Sequence, residues 1–140
     1  MDSEVSRFEQ RAAWLGYLGI LPFVIGVTLL LDTTYAEMAL AGVTNYAAII
    51  LTFVGAIHWG RAMTTGKPGL LVVSVAPSLI AWGSLFLATR FALPIMISGF
   101  LLLLVFDYRE YRDIAWFRRL RTHLTLSVSS LLLIAWLNTV

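Results

Sequence analysis

The run YAAIILTFVGAIHWGR, Tyr46–Arg61, decides how the rest of the chain is read. It belongs to a longer apolar stretch that opens near Ala39 and carries no formal charge between there and Gly60. About 20 mostly apolar residues suffice for a helix to cross the hydrocarbon core of a bilayer, and this stretch supplies them. Its end is unusual, because His58, Trp59 and Arg61 fall within one helical turn. Such groups are costly beside hydrocarbon unless something satisfies them.

Composition agrees with a membrane solvent. Hydrophobic residues make up 59% of the chain and charged residues only 13%, against about a quarter charged in ordinary soluble domains. There is no cysteine, which rules out disulfides, thiolate catalysis and cysteine-based metal sites. A net charge of +2 is too small to point to nucleic acid. The position of the charges matters more than their sum.

Four further apolar runs flank the first. They are Ala12–Leu31, closed by Asp32; Gly69–Ala88, closed by Thr89-Arg90; Phe91–Phe106, closed by Asp107; and about Leu124–Leu137. The reading is an all-α polytopic bundle of five transmembrane helices forming one integral membrane domain over 1–140. The run from Ala12 is too long for a signal-peptide core, so the weak site at Thr34-Tyr35-Ala36 is not expected to be cleaved. With the N-terminus inside, the inner segments hold Arg7, Arg11, Arg61, Lys67, Arg109, Arg112, Arg118, Arg119 and Arg121, and the outer ones only Arg90. The positive-inside rule then places the N-terminus in the cytoplasm and the C-terminus outside.

Small residues mark packing faces. Ala12, Gly16, Gly19, Pro22 and Gly26 share a stripe in the first helix, and Ser74, Pro77, Ser78 and Ala81 share one in the third. In the second, Asn45, Ala48, Thr52, Gly55 and Trp59 form a small-and-polar stripe. Such faces let membrane helices approach closely. Gly55 and Gly60 are expected to leave room beside the His58 and Trp59 rings. Pro22 and Pro77 should kink their helices or free a carbonyl.

Asp107–Arg121, DYREYRDIAWFRRLR, joins the fourth and fifth helices. It reads as a short amphipathic interfacial segment. Arg109 and Asp113 stand four apart and can pair, while Arg109, Arg112, Trp116, Arg118 and Arg119 are placed to meet lipid headgroups. Arg61 and Asp107 end their helices at the same surface and are expected to pair.

The stretch YAAIILTFVGAIHWGRAM resembles the signature of the transmembrane protein 69-like family, a domain of unknown function numbered 3429. The core is Gly55, Ile57, His58, Trp59 and Gly60, led by Tyr46; the LGYLGILPF start and the Asp-Tyr-Arg at Asp107 are also similar. The resemblance implies a small multi-helix protein of bacterial inner membranes or mitochondria. It implies no activity.

Enzyme motifs are absent: the sequence has no phosphate loop, no Gly-x-Ser-x-Gly and no His-Glu-x-x-His. No catalytic residue, resident cofactor or nucleic-acid partner is expected. The reading is an accessory or interaction subunit of a larger membrane complex, in contact with lipids and with a membrane-protein partner or a second copy. An alternative is a quinone, lipid or other amphipathic ligand held near His58, Trp59, Arg61 and Asp107. A third reading uses His58 and His123 as axial ligands to haem, the one way these histidines would act as a metal site.

Overall fold

The structure, a computed structural model, describes residues 2–139, with side chains from Glu4 to Thr139. Met1 and Val140, the ends of the expected domain, lie outside the described residues. Among the described residues the chain is helical and has no strand: α1 Asp2–Leu18, α2 Leu21–Leu29, α3 Ala36–Thr65, α4 Gly69–Ser84, α5 Thr89–Glu110 and α6 Ala115–Leu137. Together α1 and α2 make one apolar rod, Glu4–Leu29, interrupted at Gly19-Ile20. That rod, α3, α5 and α6 are each long and apolar enough to cross a membrane, whereas α4 has 16 residues. The run expected to extend to Ala88 leaves the α-helix after Ser84. There it tightens into i→i+3 turns, in which Phe86 N–H bonds Gly83 O and Leu87 N–H bonds Ser84 O.

Pro22 explains the interruption of the first rod. Proline has no N–H to give and its ring crowds the preceding turn. Phe23 N–H, the regular helical partner of the Gly19 carbonyl, bonds Ile20 O instead. The Tyr46 hydroxyl of α3 donates to Gly19 O at 3.0 Å and fills the gap. Pro94 in α5 is answered in the same way. It leaves the carbonyl four residues back, Arg90 O, without an N–H, and the Trp136 indole of α6 donates to it at 2.9 Å. In each case an aromatic donor from a neighbouring helix satisfies the freed carbonyl.

The centre of the bundle is α3, which packs against α2, α4, α5 and α6, while α1 packs against α6. The core runs from Phe23 and Val43 through Leu51, Met96 and Phe100 to Leu132. Glycines seat the helices at three points. A Cβ on Gly26 would overlap Val43, one on Gly55 would sit 2.9 Å from Pro77 Cγ, and one on Gly16 would sit 2.8 Å from Leu124 Cδ1. Gly19 has a different role, because its close neighbour is the Gly16 carbonyl of its own helix, and Gly60 faces open space. The room expected beside His58 and Trp59 at Gly60 is therefore outside the bundle, and at Gly55 it is filled by α4.

A second correction concerns Asp107–Arg121. No separate interfacial segment lies there: α5 continues to Glu110, α6 starts at Ala115, and only Tyr111–Ile114 turns between them. The polar residues instead belong to the ends of two long helices, and the first and last of them, Asp107 and Arg121, fold inward and bond each other. Arg109 and Asp113 also part company, since Asp113 pairs with Arg61. The remaining headgroup candidates divide. Arg109, Arg112 and Arg119 are exposed, Arg118 lies over the Tyr108 ring, and Trp116 is half-buried edge-on to Phe8.

Candidate functional site

Three ionisable side chains meet inside the bundle near one end. His58 is fully buried, Asp107 is 1% exposed and Arg121 is 5% exposed. Each arrives there by helical periodicity. On α3, His58 follows Leu51 and Val54; on α5, Asp107 follows Phe100 and Leu103; on α6, Arg121 precedes Thr125, Val128 and Leu132. Spacings of three and four keep these residues on one face, so the faces that build the core carry the charges inward.

Asp107 is the hub. Arg121 Nε donates to Asp107 Oδ2 at 2.7 Å, a short charge-assisted bond. His58 Nε2 lies 3.3 Å from Asp107 Oδ1, off the line of a good hydrogen bond. Tyr111 closes the histidine side, with the two rings edge to face at 5.9 Å. Burial, and then the Asp107 carboxylate, push the Tyr111 phenol up to about 12. It therefore stays protonated and adds no second negative charge beside Asp107.

A second, more exposed network lies just outside. Arg61 Nε donates to Glu110 Oε1 and its Nη2 to Asp113 Oδ1, each at 3.3 Å, while Lys67 Nζ bonds Glu110 at 2.9 Å. The Arg61 guanidinium covers the Tyr111 ring at 5.2 Å. The carboxylates of Arg61 are thus Glu110 and Asp113, and the expected Arg61–Asp107 pair is replaced by Arg121–Asp107. This outer network ties the α3–α4 turn to the α5–α6 turn. The Arg61 and Glu110 side chains are 23% and 12% exposed and Arg61 also donates to Glu110 O, so Arg61→Ala should cost about 1–2 kcal/mol, between an exposed pair and a buried one, in a detergent unfolding titration. A loss as large as that of Asp107→Ala would instead place Arg61 in the buried hub.

The other candidates fall elsewhere. Trp59 is 49% exposed and lies along a groove with Leu71, Val72 and Val75 of α4, away from the hub. His123 is exposed, with Nδ1 3.2 Å from the Tyr17 hydroxyl, whereas His58 is enclosed against Asp107. The two imidazoles occupy separate settings. Among the described residues no three His, Asp or Glu side chains cluster as metal ligands. Sequence reasoning missed Arg121 as an interior group and Glu110 as the junction of the outer network. Arg121 was discoverable, because it alone of Arg118, Arg119 and Arg121 stands four residues before Thr125 on the apolar stripe.

The family described as protein of unknown function DUF3429 matches residues 8–137. The chain belongs to this family. The matched region holds every residue of the hub and of the outer network. A curated relative, Transmembrane protein 69 of Xenopus tropicalis, is 34% identical over 129 residues, covering 81% of this chain and 49% of the relative. The chain thus spans about half the length of that relative. No solved structure matches. This DUF3429 member is a membrane protein with several apolar helices.

Proposed function

We propose that the protein is a non-catalytic accessory or interaction subunit of the inner membrane. It crosses five times, with the N-terminus in the cytoplasm and the C-terminus outside, and makes its lateral contact through the outward face of α3. The carrying observation is Asn45. It is exposed, and its carboxamide has no hydrogen-bond partner among the described residues. At 1.5 Å per residue it stands about 8 Å from the midpoint of α3, inside a hydrocarbon core whose half-thickness is about 15 Å. A bare carboxamide facing lipid is costly, and a helix from another protein relieves it by hydrogen bonding across the interface. Thr52 is exposed on the same side, and Gly42 and Gly60 have nothing within 4 Å of a built Cβ, so a second backbone has room to approach.

The placement of charge supports the orientation. Contacts of Phe8 with Trp116 and of Lys67 with Glu110 gather the start of α1, the α3–α4 turn and the α5–α6 turn at one end. Nine of the ten Lys and Arg residues belong to those segments, and Arg90 sits at the other end, where Trp136 caps its carbonyl. The orientation predicts that an impermeant maleimide labels Asn138→Cys from outside, and labels Arg112→Cys only after permeabilisation.

Because the chain lacks cysteine, single-cysteine variants report cleanly. A benzophenone on Ile49→Cys should crosslink to a protein in native membranes, and one on Leu102→Cys, exposed on α5, should not. Adding Asn45→Leu should cut the adduct about threefold or more, the range of a measured interhelical hydrogen bond. An adduct of twice the mass identifies a second copy, and any other mass a different subunit. Adducts with lipid alone, or equal yields at both positions, overturn the reading.

A further inference from the structure

A cleft of about 550 Å³ opens between α1, α3 and α6. Its walls are almost wholly apolar. Phe100 of α5, 1% exposed, lines its inner side, and Leu15 and Phe53, 70% and 66% exposed, line its outer side. Exposed apolar residues of this kind face the bilayer interior in a membrane protein, so a lipophilic molecule reaches the cleft without crossing water. One part of the lining is polar. Arg121 and Thr125, adjacent turns of α6, both line the cleft. They are 5% and 1% exposed, yet Arg121 Nη2 and Thr125 Oγ1 have no hydrogen-bond partner. Buried donors without partners are uncommon in folded proteins, and leaving one unpaired costs about 1–3 kcal/mol.

We infer that this cleft is a binding site for a neutral amphipathic molecule whose polar end is a carbonyl oxygen that accepts from Arg121 Nη2 and Thr125 Oγ1. The two donors stand four residues apart on one face of α6, which suits a single acceptor between them. A carbonyl fits better than an anion. Asp107 already holds Arg121 Nε at 2.7 Å, so the buried ion pair offers donors without excess positive charge. The volume lies within the range of about 300–1,000 Å³ for small-molecule sites, and the apolar walls suit a hydrocarbon chain. Two sources share this chemistry: a prenylated quinone and an acyl-ester lipid.

The purified full-length protein in dodecyl maltoside tests the site, with quenching of tryptophan fluorescence, including that of the cleft residue Trp116, as the readout. The probes are decylubiquinone by direct titration, dioleoylglycerol by competition, and decylbenzene as a chain without a carbonyl. Saturable quenching by decylubiquinone that dioleoylglycerol does not displace assigns a quinone. Displacement, or binding of dioleoylglycerol alone, assigns the acyl ester. Ala12→Phe, which fills the cleft from the loosely packed α1, should abolish binding. Thr125→Val should weaken it about five- to tenfold, the share of one hydrogen bond, and leave decylbenzene unchanged. Circular dichroism checks that each variant is folded, and Thr125→Val carries the test if Ala12→Phe is not. Non-saturable binding of both carbonyl probes, decylbenzene binding as tightly as they do, or wild-type affinity in Thr125→Val overturns the inference.

Discussion

Asp107→Ala will lower the unfolding free energy in detergent by about 3–5 kcal/mol, the cost of stripping one partner from a buried ion pair. The size follows from what is left behind. Arg121, 5% exposed, would keep its charge with no carboxylate within reach, and its Nη2 already lacks a partner. His58 would lose the acceptor beside Nε2. On the histidine side water cannot enter cheaply, because Tyr111, 5% exposed, closes it. Asp113→Ala provides the contrast. That carboxylate is 64% exposed, and its loss should cost less than about 1 kcal/mol. Replacing both members, as in Asp107→Leu with Arg121→Met, should recover much of the loss, because apolar residues of similar volume often substitute for a buried pair. Chemical unfolding followed by circular dichroism reads all three. Equal losses for Asp107→Ala and Asp113→Ala would show that burial at the hub has no energetic weight.

Gly26→Leu should cost about 1–3 kcal/mol, the usual range for forcing extra carbons into a packed contact. A Cβ alone on Gly26 would overlap Val43 of α3, so the α2–α3 contact depends on the bare backbone. Leucine gains nearly 1 kcal/mol of helix propensity over glycine, which offsets part of the strain without removing it. Adding Val43→Ala should restore part of the loss, since the clash is with that side chain. Gly60→Leu, at a position with nothing within 4 Å, should be neutral or slightly stabilising. Thermal midpoints in detergent distinguish these variants. A Gly26→Leu midpoint equal to that of Gly60→Leu would contradict the close approach of α2 and α3.

Much of the fold was legible because the apolar runs report the solvent directly. The stretch Ala39–Gly60 had to be a long helix, and it is the core of α3. The limits of the runs were less informative, since a helix outlasts its apolar segment wherever polar residues can reach water. Thus α1 begins at Asp2, well before Ala12, and α6 begins at Ala115, before Leu124. The opposite happened at Leu85–Leu87, where apolar composition continues but the α-helix does not. The site was half legible. His58 and Asp107 were visible as polar residues ending apolar helices, but two arginines competed for one aspartate. Charge counting favoured Arg61, which ends α3 at the same surface. Helical phase favours Arg121, because Arg121, Thr125 and Val128 continue the buried stripe of α6 while Arg61 lies at the rim. Periodicity of the partner helix, more than proximity in the topology, was the missing criterion. The cleft was not legible, because its shape depends on how loosely α1 leans on α6.

The direct test of the buried hub is a double-mutant cycle on Asp107→Asn and Arg121→Met in the full chain, with unfolding free energies measured in one detergent. The structure predicts that the two losses overlap, with a coupling energy of about 1.5 kcal/mol or more, within the range for residues that share a bond. Additivity within about 0.5 kcal/mol, as for independent sites, would contradict the hub.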